Sequence, residues 1–215
     1  MRIGILGTGL VGSTLGTKLV ELGHDVKMGS RTADNEDATT WSQKNGNSKA
    51  SHGTFEDAAS FGEILINCTP GTVSVEVLKL ADAENLRGKV LIDVSNGTDF
   101  SRGMPPTLPI CDTDSVAEQI QRAFPEARVV KTLNTMRATV MVDPKGLPGE
   151  TDVFVSGNDS DAKSQVTNLL REIGWTSVID LGDIDTARGP EMYFALWIRL
   201  SMKFQNPAFN IKIVR

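Results

Sequence analysis

Apolar residues gather first over Arg2 to Leu6, recur at helical spacing from Leu10 to Leu22, and return as a strand-like run over Asp25 to Met28 after the Gly23-His24 turn. This predicts a β-α-β unit at the start of the chain. From Thr32 to Ser51 the pattern dissolves into Asn, Asp, Thr and Ser, which predicts a solvated connection with a helix over Asp34 to Lys44 and a loop at Asn45 to Asn47. Further strands are expected at Ala50 to Phe55, Glu63 to Asn67, Val90 to Val94, Arg128 to Leu133, Asp152 to Ser156 and Ser177 to Leu181. Helices are expected at Val73 to Leu80, Ser115 to Phe124 and Asp161 to Ile173. Three prolines and little periodicity make Ser95 to Thr113 a long loop with room for function. The chain closes with an apolar helix over Glu191 to Phe204 and a tail, Gln205 to Arg215. Strands alternating with helices imply an α/β chain with a doubly wound, mostly parallel sheet of about eight strands and a small C-terminal helical cap. Residues 1–181 would form the nucleotide-binding part and residues 182–215 the cap.

Gly7-Thr8-Gly9-Leu10-Val11-Gly12 matches G-x-G-x-x-G, a weak signal by itself. Here it follows a predicted strand and opens a predicted helix inside a β-α-β unit of about 30 residues, the context that a Rossmann-like dinucleotide site requires. Gly7 would permit the tight turn, Gly9 the approach of a pyrophosphate and Gly12 the close packing of helix on strand. At the end of the second strand, where an NAD site carries an acid, the chain reads Gly29-Ser30-Arg31-Thr32. A hydroxyl and a guanidinium suit a 2′-phosphate through charge-assisted hydrogen bonds, so NADP(H) is expected over NAD(H). Two more strand ends should face the same crevice: Cys68-Thr69-Pro70 and Asn134-Thr135-Met136. Cys68 is read there as a packing residue rather than a nucleophile.

Composition narrows the choice further. The 215 residues are 40% hydrophobic and 23% charged, ordinary for a globular chain, and the net charge of −5 repels nucleic acid. No apolar stretch is long enough for a membrane span, and the N-terminus lacks a secretory pattern, so cytoplasmic residence is expected. The two histidines, His24 and His52, invite no catalytic assignment, and no Ser-His-Asp, H-E-x-x-H or paired-cysteine metal pattern is present. The one tyrosine, Tyr193, has no lysine four residues on, as a short-chain dehydrogenase would require. No catalytic acid or base is assigned. An enzyme of this kind works by alignment of two redox partners, with Asn134, Thr135 and Met136 as candidates for lining the redox centre.

With Gly7 to Gly12, Gly29-Ser30-Arg31, Thr69-Pro70, Asn134-Thr135 and the ending Asn210-Ile211-Lys212-Ile213 in view, the whole chain resembles the NADP oxidoreductases dependent on coenzyme F420. It is also similar to the cytoplasmic domains of membrane ferric reductases. The resemblance implies a single Rossmann-like domain for NADP and a C-terminal part that completes a cleft where a 5-deazaflavin stacks on the nicotinamide. It places Thr8 and Leu10 in the pyrophosphate turn, Ser30 and Arg31 at the 2′-phosphate, and Asn134 and Thr135 beside the redox centre. Several members carry a histidine where this chain has Asn134, while the ferric reductase domains have Asn-Thr and use a flavin. The acceptor is therefore open among coenzyme F420, FMN and FAD. Two other readings are an NADP(H)-binding redox sensor and a reductase of a small imine or carbonyl. Against the last, only some thirty residues follow Leu181, too few for the helical domain that builds such substrate sites. The final helix is apolar on more than one face, which fits burial all round or a homodimer seam.

Overall fold

The computed structural model describes residues 1–46 and 48–214. Asn47, in the expected Asn45 to Asn47 loop, and Arg215, at the end of the expected tail, lie outside the described residues. The strands are β1 (Arg2–Leu6), β2 (Asp25–Ser30), β3 (Ala50–Thr54), β4 (Ile64–Asn67), β5 (Val90–Asp93), β6 (Arg128–Thr132), β7 (Asp152–Ser156) and β8 (Ser177–Gly182). They form one sheet in the order β3-β2-β1-β4-β5-β6-β7-β8. Every neighbouring pair is parallel except β6 with β7. The helices are α1 (Leu10–Glu21), α2 (Glu36–Lys44), α3 (Phe55–Phe61), α4 (Ser74–Leu80), α5 (Ala83–Leu86), α6 (Val116–Ala123), α7 (Ala138–Val142), α8 (Ser160–Ile173) and α9 (Arg188–Phe204). This is the Rossmann-like, doubly wound arrangement that the alternation of strands and helices predicts.

Both faces of the sheet are covered, and alternation along β1 shows how. Ile3 and Ile5 join a core with Leu15 and Leu19 of α1, Trp41 of α2 and Val166 of α8, while Leu6 joins a second core with Ala58 of α3, Leu78 of α4 and Ile120 of α6. Helix α3 lies so close to β1 that a Cβ on Gly4 would stand 2.2 Å from the Ala58 carbonyl oxygen. Only glycine fits that approach.

Four expectations need correction. The connection after β2 is not simply solvated, because Ala38 and Trp41 of α2 are buried and the Trp41 indole donates to Thr17 Oγ1 at 3.1 Å. The third strand stops at Thr54 rather than Phe55, since Thr54 caps α3 by accepting from Asp57 N while the Asp57 carboxylate accepts from Thr54 N. Helix α7 follows the β6 end, where no element was expected, and α3 and α5 are likewise helices that were not expected. The fourth concerns the expected Val73 to Leu80 helix, which begins with a tight turn, Gly71–Val73, before α4.

The direction of β7 positions the C-terminus. Antiparallel pairing sets Thr132 opposite Val155, so Asp152 at the start of β7 stands beyond the carboxyl end of β6. The tail returns there: Asp152 N donates to Ile211 O at 2.9 Å, and its carboxylate accepts from Lys212 Nζ at 3.0 Å and from Ile213 N. Tail and cleft thus share one edge of the sheet. No helix among the described residues is long and apolar enough to cross a membrane.

Candidate functional site

Strand order reverses between β1 and β4, and a cavity of about 640 Å³ opens beyond the carboxyl ends of the central strands. Ligands of open parallel sheets bind at such a point. The cavity runs from the β1–α1 turn and Arg31 to Phe194 and Trp197 of α9.

The three glycines of the turn serve different ends. Gly7 has φ 121°, a left-handed value that other residues resist, and its N–H donates to Gly29 O at 3.1 Å. A Cβ on Gly12 would stand 2.1 Å from Gly7 O, so this position is closed by the protein's own backbone. A Cβ on Gly9 would meet nothing within 4 Å. Packing therefore does not demand glycine at position 9; a ligand passing close to the backbone would. Gly9 is the N-cap of α1, no side chain caps that end, and no acid lies in its first turn. The unsatisfied N–H groups and the positive end of the helix dipole are left for an anion.

At the end of β2 the two residues expected to hold a 2′-phosphate behave differently. Ser30 is buried and its hydroxyl donates to Thr32 O, so its proton is already spent. Arg31 is exposed at the cavity edge, and among the described residues its guanidinium has no ion pair or hydrogen bond. The free donor is Arg31. Asn35 joins them; its side chain accepts from Ala38 N at 3.0 Å and caps α2 at the cavity wall.

Cys68, Thr69 and Pro70 all line the cavity. Burial pushes the Cys68 thiol well above its ordinary range and the Asp93 carboxylate pushes it the same way, which keeps it protonated and makes it a wall rather than a nucleophile. Thr69 turns inward, donating to Asn67 Oδ1 at 2.7 Å. After β6, Leu133 holds φ 61°, a value unfavourable for a branched side chain, and the chain turns so that Asn134 meets the long loop. Asn134 Nδ2 donates to Asn96 Oδ1 at 2.9 Å, and Asn96 Nδ2 donates to Asn134 O at 2.8 Å.

The structure thus brings Gly7, Thr8, Gly9, Leu10, Val11, Ser30, Arg31, Cys68, Thr69, Pro70, Asn134 and Met136 together around one cavity. Gly12 and Thr135 are not on its wall; both are buried, Gly12 by the turn itself. Sequence reasoning missed Asn35, Phe55, Ser95, Asn96 and Phe194. Ser95 and Asn96 follow Asp93-Val94 directly, so a third strand end of the same parallel sheet was available as a signal. Two buried polar atoms on the wall, Ser95 Oγ and Trp197 Nε1, have no hydrogen-bond partner. Buried groups of this kind usually have one, and at these two positions the cavity gives a ligand or a water room to supply it.

Beneath the strand ends that line the cavity lies a buried ionic network. Lys131 of β6 is 1% exposed, and its Nζ lies 2.8 Å from Asp93 Oδ2, 2.7 Å from Glu191 Oε1 and 2.6 Å from Ser95 O. Burial disfavours the Lys131 charge, but the two carboxylates outweigh it and hold its pKa above the ordinary lysine value. Glu191 also accepts from Val116 N at 2.9 Å and Ala117 N at 3.2 Å, two otherwise unpartnered donors at the start of α6. Asn67 extends the network by donating to Asp93 Oδ1 at 2.8 Å. It ties α9 to the strands whose ends line the cavity.

Among the described residues, no cluster of His, Cys, Asp and Glu could hold a metal. His24 bonds Glu172 at 3.0 Å, and His52 contacts Thr39 and Ser42, both away from the cavity. Among the described residues the site offers an anion-ready turn, the unpaired guanidiniums of Arg31 and Arg137, and an aromatic wall at α9.

Comparison with known proteins gives the family. Residues 2–97 match the family model "NADP oxidoreductase coenzyme F420-dependent". The chain is 30% identical over 159 residues to the F420-dependent NADP reductase of Methanocaldococcus jannaschii, covering 74% of this chain and 70% of that one. The chain belongs to the coenzyme F420-dependent NADP oxidoreductase family. A crystal structure assigned as an F420-dependent NADP-reductase from Arthrobacter sp. FB24 matches this family member over 100% of both chains, with 48% identity and a TM-score of 0.94. The rat metalloreductase STEAP3 is 30% identical over 215 residues, which cover 96% of this chain but only 38% of the relative. As a member of the family, the protein is an NADP-dependent oxidoreductase.

Proposed function

We propose that the protein passes a hydride between NADP(H) and a deazaflavin of the coenzyme F420 type. The observation that carries the reading is the continuity of one cavity from Arg31 to the aromatic pair of α9, so that a dinucleotide and a planar ring share it. Gly7 to Val11 would hold the pyrophosphate and Arg31 the 2′-phosphate, with Ser30 shaping the strand end. Cys68, Thr69, Pro70 and Asn134 would flank the nicotinamide end. Phe194 and Trp197 stack with ring centroids 5.4 Å apart, and Phe209 of the tail stacks on Trp197 at 5.7 Å. Residues 182–215 act in this reading as the cap that walls the acceptor.

When bound, the reduced nicotinamide supplies the hydride, and the acceptor ring takes up that hydride together with one proton from solvent. This chain's residues bind, orient and exclude water. The cavity wall carries no histidine and no carboxylate among the described residues, so the rate comes from approach and alignment. Asn134 favours a flavin, FMN or FAD, as the second reading. Its amide is committed to Asn96, with no imidazole at that place. The exposed Met192, Leu196, Met202 and Phe204 of α9 support a homodimer seam there, which light scattering tests.

The deciding assay follows oxidation of NADPH with coenzyme F420, FMN, FAD and riboflavin in parallel. Turnover with coenzyme F420 at the highest kcat/KM is the expected result. Tight NADPH binding without turnover of any ring would replace this reading with that of a redox sensor.

A further inference from the structure

The buried network is not electrically balanced. Lys131 meets two carboxylates, Asp93 and Glu191, and none of the three residues is more than 3% exposed. Each acid accepts from donors on both oxygens, the bonding pattern of the ionised form. Asp93 Oδ2 faces Lys131, while its Oδ1 accepts from Asn67 Nδ2 at 2.8 Å and from Ser95 N at 3.3 Å. Glu191 Oε1 accepts from Lys131 and Ala117 N, and its Oε2 from Val116 N. One cation against two carboxylates leaves one formal negative charge in the interior. The neighbouring acid of α6, Glu118, is matched by Arg188 and does not alter that balance.

Strand order places this charge relative to a dinucleotide. With the 2′-phosphate at Arg31, after β2, and the pyrophosphate at the start of α1, after β1, the nicotinamide half extends to the other side, over the ends of β4 and β5. Asp93 ends β5, Asn67 ends β4, and Lys131 stands opposite Asp93 on β6. The residues that follow, Cys68 and Thr69 after β4 and Ser95 and Asn96 after β5, line the cavity. The charge reaches that wall: burial pushes the Cys68 thiol up, and the Asp93 carboxylate pushes it further the same way. The charged residues of the wall itself, Arg31 and Arg137, are exposed, and Arg137 opens α7, which packs on the pyrophosphate helix α1. Salt screens exposed charges and screens a buried one much less.

We infer that the triad of Lys131, Asp93 and Glu191 acts on the nicotinamide through its unbalanced carboxylate, favouring the oxidised, cationic ring of NADP+ over the neutral ring of NADPH. This rests on the placement of the dinucleotide proposed above and adds to it a bias on the redox pair, whichever ring accepts the hydride. Loss of a hydride, one proton with two electrons, turns the neutral dihydronicotinamide into a cation. A negative charge fixed beneath the ring lowers the cost of that developing charge without any rearrangement of the protein.

Calorimetric titration of NADP+ and NADPH into the wild type, Asp93→Asn and Glu191→Gln tests this. Each substitution keeps the shape of the side chain and leaves Lys131 with one acid, so the triad becomes neutral. The ratio of the Kd for NADPH to the Kd for NADP+ should fall about three- to tenfold in each variant, the size expected of one charge acting over about 10 Å through the protein. Each also sets an amide nitrogen against a donor and costs stability, but a smaller folded fraction scales both dissociation constants alike and cancels in the ratio. The two positions lie on different elements, β5 and α9, so each tests the charge independently. A merely structural role would weaken both nucleotides equally, and an unchanged ratio in a variant that binds both overturns the inference. A wild type that binds neither nucleotide defeats the dinucleotide placement itself, and the inference with it.

Discussion

The two ends of the cavity are built on opposite principles. At the β1–α1 turn and the end of β2, donors are left unspent: the α1 N-terminus has no side-chain cap, Gly9 faces open space and Arg31 meets no acid among the described residues. Below the aromatic end, Lys131, Asp93, Glu191 and Asn67 are buried and satisfy one another. The contrast separates two kinds of polar residue. Groups that a fold leaves free at a concave surface serve a ligand, and groups that it pairs in the interior serve position.

The largest expected effect tests the paired end. Lys131→Met leaves two carboxylates buried without their cation and should cost about 3–5 kcal/mol of stability in a urea titration. A loss below about 1 kcal/mol would mean that the network does not hold α9 in place. Next comes the pair of glycines. Gly12→Ala forces a backbone shift against Gly7 O and should cost about 1–3 kcal/mol while weakening NADPH binding. Gly9→Ala should leave the Tm nearly unchanged and weaken NADPH binding alone, because its Cβ meets only the ligand's space. Equal loss of stability in both would erase the distinction between them.

How much of this was legible in the sequence follows the same division. The turn, Arg31 and the order of strands and helices could be read because each has a local signature: glycines at fixed offsets, a missing acid, an apolar period. The network had a weaker sign, an ionisable residue inside each of two apolar strands, Val-Leu-Ile-Asp and Val-Val-Lys. The ladder sets Asp93 opposite Lys131. Recognising it needed the pairing of β5 with β6, which no local pattern states. The reversal of β7 is of the same kind, since strand direction depends on where the chain re-enters the sheet. Helix α3 was missed although Thr54-Phe55-Glu56-Asp57 is a capping box, because small and polar residues around it blurred the period.

The smallest effect concerns pH. Asp114 accepts a forked pair from Arg122, Nη1 at 3.0 Å and Nη2 at 2.7 Å, and this holds its pKa down to about 2. A depressed carboxylate stabilises the fold above its ordinary pKa, and that contribution is lost as pH falls through the folded value. Asp114→Asn should therefore be less stable than wild type above about pH 4, with the gap closing as pH approaches 2. A gap that is the same at both ends of that range would show that the ion pair contributes nothing.

The unspent end carries the central claim, and calorimetric titration of the wild-type protein with NADPH and with NADH tests it most directly. The account predicts that NADPH binds at least about tenfold more tightly than NADH, and that Arg31→Ala removes most of that difference. Equal affinity for the two nucleotides, or a preference that survives in Arg31→Ala, would contradict it.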